Sequence, residues 1–293
     1  MPKEKNMSLS EAVNLIKDGD HVAFGGVLVQ SKPMALMWEM LKPENRRKDL
    51  TISVLTGNFG IDAMLALMNI KELNTIYCGL ETAGFAPNFQ RLVEEGNLKV
   101  NEFTEMQFFW AMRASELGLP YLPCKSGIDS ELIDVNPYLK KHEFEGQNLV
   151  AVKALDPDVT IVHCMIGDRY GNIQNEQMKT YMDDTIARSV KKGGKCIVCV
   201  EKLVGSEYIY ENRMNTILNS FEVDAVVEVP YGAHPGSVRP LYFFDMAMQM
   251  TLGSALKKPS KIERYLTKNV FPLTREQYLQ KFKLKLGEWW SKK

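Results

Sequence analysis

The chain has 293 residues, 45% of them hydrophobic and 25% charged, with Lys plus Arg and Asp plus Glu equal at 36 each. That length and apolar content suit one large α/β domain or two small ones with a substantial core, and disorder is not the default reading. A formal net charge of zero gives no overall field to attract nucleic acid or an anionic membrane surface, so neither is expected as a partner.

In chain order, "SLSEAVNLIKDGD" places Ser8 three residues before Glu11, a capping-box spacing, and sets Leu9, Ala12, Val13 and Ile16 on one helical face before Gly19. A strand "HVAFGG" follows, then a helix opening near Pro33 with "MALMWEML", then a strand "LTISVLTG" apolar enough to be buried on both faces. "IDAMLALMNI" reads as helix, "TIYCGL" as strand, "NFQRLVEEGN" as helix, "LKVNEFT" as strand and "EMQFFWAMRASELG" as helix. Periodicity lapses around residues 124–148, predicting an excursion of loops. Strands "LVAVKAL" and "VTIVHCMIG", a helix around "YMDDTIARSVKKGG", and strands "KCIVCVEKL" and "VDAVVEVPYG" complete the alternation. From about residue 241 the tail reads as helices packed on the outside. Repeated βα units predict a three-layer α/β/α fold with a mostly parallel sheet, built as a single domain over 1–293.

No stretch reaches the ~20 apolar residues of a membrane span, and "MPKEKNMSLSEA" lacks a secretory apolar segment, so a cytoplasmic protein is expected. The basic run "NRRKD" and the "SKK" end read as solvated surface, and the abundant methionines as filling for core and subunit contacts. The odd set Cys78, Cys124, Cys164, Cys196 and Cys199 suits reduced thiols. "KCIVCV" has a CxxC spacing, yet its cysteines alternate with Ile197, Val198 and Val200 as in a buried strand. No His/Cys/Asp cluster has metal-ligand spacing, so no metal is expected.

In an open parallel sheet, ligands bind beyond the carboxyl ends of the strands. At such ends lie Gly25-Gly26, the "TGNFG" turn with Gly57 and Asn58, "GLETAG" with Glu81, "NEFTE" with Glu102 and Glu105, "HCMIGDRYGN" with His163, and "PYGAHPG" with His234. The Gly-Gly pair belongs to no dinucleotide or P-loop pattern. Adjacent glycines suit either a structural turn or backbone N–H groups facing a carbonyl oxygen that gains charge, worth ~3 kcal/mol per donor in a formed oxyanion hole. Glu105 follows Thr104, which has capping-box spacing to Gln107, so its carboxylate is either a helix-dipole partner or a base facing a cleft. Glu81 is a weaker rival that caps the next helix, and Glu102 alternates into the strand. Lys32 reads as a surface lysine or as a cation for a phosphate or carboxylate. His163 reads as a bonded core histidine or as a group orienting substrate, and His234 as part of a rigid turn.

The ordered motifs "DGDHVAFGG…KP", "ELGLPYLP", "VTIVH…GDRYGN" and "VDAVVEVPYGAHP" resemble the alpha subunit of family I coenzyme A transferases of the glutaconate type, over about residues 8–245. That resemblance implies a CoA-transferase-like fold and a partner beta subunit, in a heterodimer or heterotetramer. It also implies acyl-CoA and carboxylic acid as substrates, with no permanently bound cofactor. The family pattern ends in Gly-Gly-Phe where this chain has Val27, a smaller pocket wall. The attacking Glu of the family lies in a Ser-Glu-Asn-Gly-like turn of the beta subunit, and this chain has no such turn; Glu211-Asn212 in "YIYENRMN" lacks the flanking glycine. The resemblance therefore leaves this chain the oxyanion backbone of Gly25 and Gly26 and part of the acyl pocket. "NEFTEMQFFWAMRASELGLPYLP" and "GDRYGN…YMDD" are also similar to the alpha subunit of related hydrolases that open a ring in steroid-derived acyl-CoAs, in which an alpha-chain Glu matching Glu105 helps activate water. A third reading is a CoA-binding scaffold without catalysis.

Overall fold

The structure is a computed structural model describing residues 3–175 and 181–291. These residues form a nine-stranded sheet whose parallel part runs Ala225–Glu228, Lys195–Leu203, Val159–Gly167, His21–Phe24, Leu50–Val54, Ile70–Thr75 and Lys99–Glu102. Short antiparallel strands Ile173–Gln174 and Thr216–Leu218 extend it from Val159–Gly167. On one side of His21–Phe24 the strands follow in chain order, and on the other they come from after residue 158. Chain order thus reverses between His21–Phe24 and Val159–Gly167, and such a reversal leaves a crevice beyond the carboxyl ends of the two strands.

Alternation along the central strand sends Val22 and Phe24 to one face and Ala23 to the other. Helices Leu9–Val13, Met34–Met40, Phe59–Leu67, Met246–Leu256 and Pro259–Asn269 pack on the first face. Glu105–Glu116 and Asp183–Arg188 cover the second. The result is the three-layer α/β/α arrangement expected. Both capping boxes form: Ser8 with Glu11, and Thr104 with Gln107, each satisfying backbone N–H groups that the helix start leaves without partners. Met34, Met37 and Met40 lie in the core of the first face.

The sequence expectations need correction at four places. Residues 124–148 are no loop excursion: Tyr121–Cys124, Leu139–Phe144 and Gln147–Lys153 form an antiparallel sheet that buries Leu139, Val150 and Val152. Its hairpin turns at Glu145 and Gly146, both in the left-handed region, as a two-residue primed turn requires. The strand placed at "TIYCGL" is Ile70–Thr75, and Tyr77–Cys78 instead pairs with Thr56–Gly57. Polar side chains concealed that strand, because buried Asn74 bonds to Ser53 Oγ at 3.0 Å and Thr75 to the Leu55 carbonyl at 3.1 Å. The tail is helical but integral, with Leu252, Leu256, Ile262 and Leu266 all fully buried. "NRRKD" is more than a solvated face: Arg46 Nε donates to Leu41 O and Arg47 Nε to Ile16 O, tying down the loop before Leu50–Val54. Lys292 and Lys293 of "SKK" lie outside the described residues.

Cys196 and Cys199 are buried on opposite faces of Lys195–Leu203, one in each core, so they cannot converge on a metal or each other. Burial pushes both thiols up to about 12. Among the described residues no group of three or more His, Cys, Asp or Glu is placed to hold a metal ion, and no helix is long and apolar enough to cross a membrane.

Candidate active site

The crevice is floored by the chain leaving the central strand. Gly25 extends the ladder, donating its N–H to Ile161 O at 2.8 Å, and Gly26, at φ +76°, turns the backbone. A Cβ at Gly26 would lie 2.6 Å from the carbonyl oxygens of both Gln30 and Ser31, so only glycine fits. Val27 N–H donates to Gln30 O at 3.0 Å and Gln30 N–H to Val27 O at 2.7 Å, closing a hairpin with Leu28 and Val29 at its tip. Leu28 (φ +53°) and Ser31 (φ +52°) both hold left-handed conformations, each costing of order 1–3 kcal/mol. External bonds oppose that strain. Leu28 N–H donates to Thr56 Oγ1 at 2.6 Å, Ser237 N–H to Val29 O at 2.7 Å and Ser31 N–H to Ser237 O at 2.8 Å. The Leu28 side chain remains 36% exposed at the tip.

Neither glycine amide is bare, which corrects the expectation of two open oxyanion donors. Gly25 N–H belongs to the ladder, and Gly26 N–H donates to Asp183 Oδ1 at 2.6 Å. Lys32 is corrected as well, since it is fully buried rather than on the surface or free to meet a CoA phosphate, and its Nζ donates to Gly26 O at 2.8 Å. Burial pulls the Lys32 ammonium down to about 7 against the raising effect of Asp183, and pushes the Asp183 carboxyl up to about 7 against the Gly26 N–H and Lys32. Asp183 escaped the sequence reading. It stands inside "YMDD", but charge and spacing alone do not distinguish it from Asp184.

Asn58 caps Phe59–Leu67, its Oδ1 accepting from Gly60 N–H at 3.0 Å and Ile61 N–H at 3.3 Å; Gly57 packs its backbone against Cys78. Glu81 is exposed, at φ +50°, and opens the 3₁₀ turn Glu81–Ala83 rather than capping the next helix. Val27 is half-buried beside the turn.

Glu105 is the first residue of its helix and exposed, and among the described residues its carboxylate has no partner. The edge strand before it lies three strand spacings from His21–Phe24, about 14 Å at ~4.8 Å per strand. Its helix nevertheless runs beside Asp183–Arg188 and in the same direction, because the Phe109 and Tyr181 rings lie 5.5 Å apart and Arg188 Nη1 lies 3.9 Å from Glu116. Glu105 thus stands about one turn before Phe109, the residue that meets Tyr181 two positions before Asp183.

His163 is fully buried, with Nε2 2.7 Å from Glu201 Oε1 and, among the described residues, no partner at Nδ1. Glu201 also accepts from Tyr242 OH and from Tyr231 N–H, each at 2.5 Å. This cluster anchors the loop leading to Ser237, and so reaches the strained tip from below. His234 is a structural member of the same loop, with Nδ1 2.8 Å from Tyr278 OH. Burial lowers its pKa to about 4, opposed by Asp245, so it is neutral at neutral pH.

A largely parallel sheet with a strained, charge-clamped glycine turn where its chain order reverses makes this an α/β protein of the class in which such a reversal is the usual place for a ligand. The chain belongs to the coenzyme A transferase family, whose model, described as Coenzyme A transferase, matches residues 6–229. It is 28% identical to the cholesterol ring-cleaving hydrolase IpdA subunit of Rhodococcus jostii, over 90% of this chain and 91% of that one. It is 27% identical to a glutaconate CoA-transferase subunit of Acidaminococcus fermentans, over 94% and 91%. The solved structure of glutaconate coenzyme A-transferase from that organism superposes with a TM-score of 0.87 at 25% identity, covering 96% of this chain and 93% of the other. An uncharacterized protein of Archaeoglobus fulgidus is 32% identical, and there the match spans 54% of its length.

Proposed function

We propose that the chain is the alpha subunit of an acyl-CoA transferase of the glutaconate type, working with a beta subunit that supplies the attacking glutamate. The observation that carries this reading is the turn itself: a strained, anchored backbone at the sheet's switch point, where the one carboxylate bonded to the turn among the described residues is already spent. Asp183 is 1% exposed and bonded to Gly26 N–H, so it is not a nucleophile. The partner's carboxylate attacks the thioester carbonyl and CoA leaves as thiolate, giving a mixed anhydride. The thiolate then attacks the glutamyl carbonyl, releasing the first acid and leaving glutamyl-CoA. A second carboxylate runs the sequence in reverse. In these steps this chain provides one wall of the acyl site, with Val27 and the exposed Leu28 as its apolar lining.

A second reading has its own observation. Glu105 presents an exposed carboxylate, unpartnered among the described residues, at the start of the helix that packs beside Asp183–Arg188, as a base for water would require in an acyl-CoA ring-opening hydrolase. Glu105→Gln in the assembled complex separates the two. Under the transferase reading, CoA exchange between acids stays within about threefold of wild type, because the nucleophile is elsewhere. A fall of about 10²–10⁴ in thioester or ring hydrolysis, with no exchange activity in the wild-type complex, establishes the hydrolase instead.

A further inference from the structure

Gly26 is gripped by opposite charges on its two flanking peptides, one from six residues on and one from a distant part of the chain. Asp183 accepts its N–H at 2.6 Å, Lys32 Nζ donates to its carbonyl at 2.8 Å, and the two side chains are 1% and 0% exposed. The other anchors of the turn are neutral: Thr56 Oγ1 on Leu28, and the Ser237 backbone on Val29 and Ser31. Stripping water from an ammonium and a carboxylate is costly, and hydroxyl or main-chain groups hold the rest of this turn without that cost. Strained backbone persists where its surroundings over-determine it, and here the strongest constraint falls on the two peptides that meet at Gly26, from which the exposed tip swings.

We propose that Lys32 and Asp183 are positioning residues for acyl transfer: by fixing the two peptide planes that meet at Gly26, Gly25–Gly26 through its N–H and Gly26–Val27 through its C=O, they hold the Val27–Gln30 tip in one position against the acyl end of a bound thioester. The idea rests on the acyl-CoA reading above. Gly26 N–H stays on Asp183 throughout turnover, so the turn acts by holding the tip still and gives no hydrogen bond to the substrate. The clamp joins the two halves of the sheet across the point where chain order reverses, because Lys32 follows the central strand and Asp183 follows Val159–Gly167. A displaced tip disturbs the orientation of bound acyl-CoA more than its affinity, since most of a CoA molecule lies away from the acyl carbon.

The test uses the complex of this chain with its beta subunit, in wild type, Asp183→Ala, Asp183→Asn and Lys32→Met forms. Residue-resolved amide exchange reads the clamp without needing any activity, so it stands even if the wild-type complex hydrolyses acyl-CoA and the transferase reading fails. Asp183→Ala is expected to open Gly26 N–H to exchange while Gly25 N–H, held by Ile161, stays protected. Acyl-CoA added to wild type is expected to leave Gly26 N–H protected. In turnover, Asp183→Ala and Lys32→Met should lower kcat by about 10²-fold with KM within about threefold, and Asp183→Asn, which keeps the acceptor oxygen, should recover at least about tenfold of that loss. The proposal is overturned if Asp183→Ala leaves Gly26 exchange unchanged, if acyl-CoA alone releases that amide, or if Asp183→Asn, folded as wild type, loses as much kcat as Asp183→Ala.

Discussion

Gly26→Ala is expected to abolish the activity of the assembled enzyme and to destabilise the chain by about 2–4 kcal/mol, read by denaturant unfolding. The added methyl meets two main-chain carbonyl oxygens, at Gln30 and Ser31, both 2.6 Å from where the Cβ must sit. Neither can rotate aside as a flexible side chain would. Relief requires opening the Val27–Gln30 hairpin, and that movement pulls Gly26 away from both Asp183 and Lys32. Gly96→Ala provides the comparison, because Gly96, which follows the helix Pro87–Glu94, has a similar φ of +69° but open space around it. It should cost only the conformational strain, about 1 kcal/mol, and leave turnover intact. Equal effects from the two substitutions would mean that crowding at the turn is not what makes Gly26 necessary.

Glu201→Ala should have the next largest effect, a loss of about 3–5 kcal/mol, because it leaves several buried donors without an acceptor. Tyr242 OH, Tyr231 N–H and His163 Nε2 all converge on its carboxylate, which is fully buried. The damage should extend to the site. Tyr231 and Tyr242 flank the loop that places Ser237, and Ser237 is the main-chain anchor of Val29 and Ser31. Glu201→Gln keeps one acceptor oxygen and should recover about half of the lost stability. Thermal unfolding of the two variants decides it, and an unchanged midpoint in Glu201→Ala would refute the anchoring role.

The alternation of apolar runs with helical periodicity was enough to read the layered parallel fold, because both faces of such a sheet are covered and its strands become continuous hydrophobic runs. Val159–Gly167 and Lys195–Leu203 are of this kind. Ile70–Thr75 was misplaced because its buried Asn74 and Thr75 bond across to the neighbouring strand, and hydropathy registers such residues as surface. The small sheet around Leu139–Phe144 was missed because its signal is a Glu-Gly turn between two modest alternating runs, set amid proline and charge. At the site the glycine pair was legible and its surroundings were not. Lys32 and Asp183 lie far apart in the chain, and nothing local distinguishes a buried charge from a solvated one. Their burial follows from the crossover that sets the central strand beside Val159–Gly167, a long-range pairing that neither segment encodes alone. The capping-box reading of Thr104 correctly placed Glu105 at a helix start, because that signal is confined to four residues.

The division of labour between two subunits is tested most directly by assaying CoA exchange between carboxylic acids with the purified chain alone and after reconstitution with its beta subunit. No exchange above background is expected from the chain alone, and robust exchange is expected on reconstitution. Exchange by the chain alone, at a rate comparable with the complex, would place the nucleophile in this sequence and refute the division between subunits.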